Sequence, residues 1–171
     1  MPIRYDDNLG YWLFYSQRIV AHAFTEALRL CCEEQNKLYV VTPPQWGLLA
    51  LLNESDGLTI GTISLKQGLE APTMTGIVSR LEHHELVERR HDKEDRRLVK
   101  VYLTDEGRDI TRYLYETAET FHDILTRTFS ADEQKHLLTQ LKQIIVNVSA
   151  VGPKTGDRFG LLQDFQFDAQ D

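Results

Sequence analysis

Leu86-Val-Glu-Arg-Arg-His91, Asp92-Lys-Glu-Asp-Arg-Arg97 and Leu98-Val-Lys-Val-Tyr-Leu103 follow one another without a break in the middle of the chain. The outer two pieces read as strands, with Val99, Val101 and Leu103 sharing one face. The piece between them is six charged residues and nothing apolar. Burying it would strip those charges of water at high cost. It is therefore expected to project as the tip of a β-hairpin.

Working outward, the segment upstream changes period. From Pro72 to about His84, Ile77, Val78 and Leu81 fall on one face of a helix. A shorter helix, about Ile60 to Gln67, precedes it, and Gly68 can supply its left-handed stop. About four residues join the two, the spacing of a helix-turn-helix. Before these, Thr42 and Gln45 make a T-x-x-Q capping box with Pro43 at the first helical position. Val41 and Trp46 stand where a hydrophobic staple would. This opens a helix from Pro43 to about Asn53, ended by the turn residues Asn53 to Gly57. Further upstream, Leu9 to Glu34 has helical spacing with a broad apolar stripe. At roughly 39 Å it overhangs one small core and is expected to pack on a partner subunit. Downstream, Thr104 opens a long helix to about Arg127. Ser130-Ala-Asp-Glu133 is a second capping box, starting a helix with Leu137, Leu138, Leu141, Ile144, Ile145 and Val148 in its stripe.

The expected fold is mainly α with a small β-hairpin: a winged helix-turn-helix flanked by long dimerisation helices. It divides into an N-terminal dimerisation helix (1–40), a winged helix-turn-helix (41–104), C-terminal dimerisation helices (105–150) and a tail (151–171), all in one composite domain. The tail, Phe159 to Phe167, is apolar for a terminus; docking on the dimer and disorder both fit it.

The chain has 171 residues and a net charge of −7, which argues at first against nucleic acid. The distribution changes that reading. Lys66 to Tyr102 holds 8 Lys/Arg against 7 Asp/Glu, a net of +1, so the remainder carries −8. Favourable phosphate contact is thereby confined to the hairpin and the helix before it. No stretch is apolar enough to span a bilayer, and the N-terminus lacks a signal peptide's apolar core, so a cytoplasmic protein with no membrane partner is expected. No P-loop, dinucleotide fingerprint, G-x-S-x-G or H-E-x-x-H occurs; neither an enzyme nor a cofactor is expected.

Asp95-x-Arg97-x-x-x-Val101-x-Leu103-Thr104 matches the D-x-R-x-x-x-V-x-L-T signature of the MarR (multiple antibiotic resistance regulator) family. Thr42-Pro-Pro-Gln-Trp46, Ser79-Arg-Leu-Glu82 and Leu86-Val-Glu-Arg89 resemble that family's second-helix entry, recognition helix and first wing strand. The resemblance covers about Leu9 to Val148. It implies a homodimeric DNA-binding regulator, more usually a repressor, that binds a pseudo-palindromic operator in double-stranded DNA and is released by a small effector. It also implies that Arg97 enters the minor groove with Asp95 orienting its guanidinium. A planar, permanently charged donor suits a narrow groove of enhanced negative potential. Arg96 and Lys93 would meet phosphates.

On the recognition helix, Thr73, Met74, Thr75, Ser79 and Arg80 are read as facing away from the stripe or sitting near the helix start, where they can contact bases or phosphates. Gly76 would allow close approach to the duplex, although Gly inside a helix costs about 1 kcal/mol against Ala. Ala71 is a poor cap, leaving amides that a phosphate oxygen would accept. Candidate effector-pocket residues are Trp12, Tyr15, Arg18, His22, Trp46 and Tyr113; aromatics with an Arg would suit an aromatic carboxylate. The alternative is a metal- or redox-responsive winged-helix sensor. His83 and His84 are adjacent on a helix and point to different sides, and no second cluster has ligand spacing. The family's peroxide sensors carry a cysteine near the start of the first helix, whereas Cys31 and Cys32 lie near its end and read as small buried hydrophobes.

Overall fold

The structure, a computed structural model, describes residues 4–149; the 151–171 tail and the reading of Phe159 to Phe167 lie outside the described residues. Six helices and three strands follow a 3-10 turn at Tyr5–Asp7: α1 (Leu9–Glu34), α2 (Pro43–Glu54), β1 (Leu58–Thr59), α3 (Ile60–Gln67), α4 (Ala71–His83), β2 (Val87–His91), β3 (Val99–Leu103), α5 (Asp105–Thr126) and α6 (Ala131–Ser149). No helix among them is long and apolar enough to cross a membrane.

The local chemistry accounts for most boundaries. The Asn8 side chain accepts from the Tyr11 amide at 3.1 Å and caps α1. At α2, the Gln45 side chain reaches back to the Thr42 amide at 2.8 Å. Thr59 caps α3, and Gly68 ends it in the left-handed conformation at φ 63°. Ser130 and Glu133 bond reciprocally across the first turn of α6, satisfying amides that a helix start otherwise leaves open.

The core is built where α1, α2, α4, α5 and the sheet converge. Leu28, Leu48, Leu49, Leu52, Ile63, Met74, Val78, Leu81, Leu86, Val101, Ile110 and Leu114 are fully buried. Cys31 and Cys32 belong to the same cluster. Burial pushes the Cys32 thiol pKa up, towards the inert protonated form.

Two expectations need correction. The hairpin is not a two-stranded ribbon: β1 adds a third strand, in the order β1-β3-β2, with Leu58 opposite Val101 and Thr59 opposite Lys100. Two residues carry no period, so this strand has no signature. And α4 begins at Ala71, with Glu70 as an N-cap whose side chain makes no capping bond.

The wing is then latched to the body. The Thr104 hydroxyl donates to the Glu85 carbonyl at 2.6 Å and accepts from the Gly107 amide at 2.9 Å, so one side chain both caps α5 and ties it to the end of α4. Asp56 accepts from the Leu103 amide at 3.0 Å and pairs with Arg108 at 2.5 Å.

Candidate nucleic-acid interface

Helix α4 buries Met74, Ile77, Val78 and Leu81 and presents the opposite face to solvent. Thr73, Thr75, Ser79 and Arg80 are exposed and Gly76 is half-exposed. Met74 must be struck from the DNA-contacting set. It is fully buried, because it stands three and four residues before Ile77 and Val78 and opens the core stripe. Two hydroxyls are already committed: Thr75 donates to the Ala71 carbonyl at 2.8 Å and Ser79 to the Thr75 carbonyl at 2.9 Å. Thr73 and Arg80 make no such bond among the described residues. At Gly76, an added Cβ would meet the Arg80 guanidinium at 3.7 Å. Arg80 therefore lies back along the helix over the space that Gly76 leaves open.

The wing tip is a compact turn. The Asp92 carboxylate accepts the amides of Glu94 and Asp95, both at 2.9 Å, and pairs with Lys100 at 2.6 Å. Lys100 and those two amides pull the Asp92 carboxyl down to about 2. Asp95 grips Arg97 three times: Oδ1 accepts from the backbone amide and from Nε, and Oδ2 accepts from Nη2, all at 3.0 Å. The Arg97 side chain is nonetheless 90% exposed. Such a bidentate pair fixes the plane of the guanidinium while leaving its outer edge open. Lys93 and Arg96 are exposed beside it, and the Arg96 carbonyl is bonded by the His91 ring at 2.9 Å.

The six residues nominated for an effector are not gathered in one place. Trp12, Tyr15 and Arg18 cluster on the N-terminal part of α1, with Trp12 edge-on to Tyr15 and Arg18 over the Tyr15 ring at 5.5 Å. His22 is exposed one turn further on. Trp46 is half-buried and packs edge-on against Tyr115 at 4.7 Å. Tyr113 lines an open groove of about 300 Å³ between the C-terminal half of α1 and the middle of α5, and none of the other five is in its lining. Its walls include Ala27, Leu30, Cys31, Phe121 and Ile124, with Glu34 and Glu116 among its polar lining. Among the described residues no group of three His, Cys, Asp or Glu side chains is placed to hold a metal ion.

Residues 41–99 match the model of the MarR family. The chain is 39% identical over 93 residues to the uncharacterized HTH-type transcriptional regulator YsmB of Bacillus subtilis, covering 50% of this chain and 64% of that one. It is 31% identical over 134 residues to the HTH-type transcriptional regulator TtmR of Methylorubrum extorquens, covering 78% of this chain and 66% of that one. Residues 41–99 form a MarR-family domain. The match spans just under two thirds of each of those two curated relatives. Among solved structures, the transcriptional repressor CouR of Rhodococcus jostii, bound to a 23-mer DNA duplex, is similar with a TM-score of 0.73 and 26% identity, over 85% of this chain and 98% of that one.

Two residues of this chain escaped the sequence reading. Gly107 lies beneath the Leu86 carbonyl, and Arg89 reaches from β2 onto α4. Both act across the join between wing and helix, which no local spacing discloses.

Proposed function

We propose that this protein is a homodimeric transcriptional regulator that reads duplex DNA with α4 and the wing and is released by a small effector. The observation that carries the reading is Arg97: a guanidinium 90% exposed yet held in plane by Asp95, at the tip of a hairpin whose strand β2 is bonded to the flank of α4. A helix fits the major groove, about 12 Å wide, and an oriented Arg fits the narrow minor groove. The likeness to a repressor solved on a DNA duplex supports this, and repression is the sense of regulation we propose.

Residues 41–104 would form the reading unit, and 1–40 with 105–150 the dimerisation part. The support is exposed apolar surface: Leu137, Leu138, Leu141, Ile145 and Val148 line α6, and Leu9, Trp12, Phe14 and Ile19 stand out from α1, all of them exposed. Large apolar side chains exposed along two helices in this way fit an interface. The groove beside Tyr113 is the proposed effector site. Its lining offers the rings of Tyr113 and Phe121 and the carboxylates of Glu34 and Glu116 but no cation, which favours an aromatic ligand over an acid. A ligand acts only if it binds the released geometry more tightly.

Selection from random duplexes tests the reading. Enrichment of inverted half-sites about 10 base pairs apart is expected; no enriched sequence, or a single direct half-site, contradicts it.

A further inference from the structure

Arg89 stands at the centre of β2, with its guanidinium lying along the flank of α4. Nη1 donates to Glu82 Oε2 at 2.6 Å, Nη2 donates to Ser79 Oγ at 3.0 Å, and the same Nη2 approaches the Thr75 carbonyl at 3.4 Å. Those three partners sit at i, i+4 and i+7, one above another on a single helical stripe. Ser79 is tied from both sides, since its own hydroxyl proton goes to the Thr75 carbonyl. The side chains of Arg89 and Glu82 are 27% and 38% exposed, so the pair is partly shielded from solvent. A planar fork of donors suits such a three-point contact, whereas an ammonium does not.

We infer that Arg89 is a positioning residue for DNA recognition, locking the rotation of α4 relative to the wing so that the helix and Arg97 meet one duplex together. The inference rests on the reading of α4 and the wing as the DNA surface. The stripe that Arg89 grips borders the solvent face carrying Gly76 and Arg80, so a loosened helix would turn that face away from the register the wing sets. Arg89 turns both Nη groups onto the protein, so it is not expected to be a phosphate contact. Ser79 is thereby assigned to the same strut rather than to a base.

Equilibrium binding of Arg89→Met, Glu82→Ala and the double variant to a selected duplex and to a random duplex, over a salt series, tests this. Selective binding by the unaltered protein checks the underlying reading first; failure there removes the DNA surface itself, and the inference with it. Given such binding, each single variant should weaken the selected duplex roughly five- to fiftyfold, and the double should be no weaker than the worse single, as coupled neighbours behave. Affinity for the random duplex and the salt slope should stay as they were. A slope shallower by about 0.9, the signature of one lost phosphate contact, would overturn the inference. So would additive effects, parallel losses on both duplexes, or an unchanged affinity in Arg89→Met.

Discussion

At Gly107 an added Cβ would lie 1.9 Å from the Leu86 carbonyl oxygen and 2.9 Å from its carbon. Backbone atoms cannot swing aside as a flexible side chain can. Gly107→Ala is therefore expected to destabilise the fold by about 3 kcal/mol or more, the upper end for overpacking; chemical denaturation showing a loss under about 1 kcal/mol would contradict the packing at this join. Asp92 makes a prediction of a different kind. Its carboxyl is pulled from 3.8 to about 2 by Lys100 and the amides of Asp95 and Glu94. A lowered folded value means that the carboxylate supports the wing turn fully above about pH 4 and loses that support as pH falls through about 2. The Glu94 and Asp95 amide signals should titrate with a midpoint near 2; a midpoint at the ordinary 3.8 would show that the turn is not held by this group.

At the scale of elements, the legible parts were those with a strong local signal. The wing strands, the charged tip, the two capping boxes, Gly68 as a helix stop and the long amphipathic helices all follow from spacing or turn chemistry. Strand β1 did not, because its two residues exist as a strand only through pairing with Val101 and Lys100. Met74 was assigned to the wrong face although its spacing to Ile77, Val78 and Leu81 marks the core stripe. The Arg89 strut joins residues 7 to 14 positions apart, and the groove joins α1 to α5; neither has a local pattern. Helix α6 carries the prediction at this scale. Its apolar stripe is exposed in the single chain, so Leu138→Glu with Leu141→Glu should leave the monomer fold intact while removing self-association. Light scattering should then give monomer mass with unchanged circular dichroism. A dimer that persists in the double variant would move the interface elsewhere.

For the whole molecule, charge and shape point the same way. A chain of net charge −7 confines its favourable phosphate contact to the segment from Lys66 to Tyr102, so the acidic remainder opposes DNA everywhere else. The same segment holds the exposed face of α4 and the wing, packed into one unit through Asp56, Thr104 and Arg89. The groove between α1 and α5 lies on helices that also carry the exposed apolar surface. In the proposed dimer, a ligand there would alter how two copies are spaced rather than block the DNA face. The most direct measurement is the affinity of Arg97→Ala for a selected duplex. Losing the wing contact should weaken binding by about 1–3 kcal/mol, while stability stays close to that of the unaltered protein, because the side chain is almost wholly exposed. An unchanged affinity would mean that the wing does not read DNA.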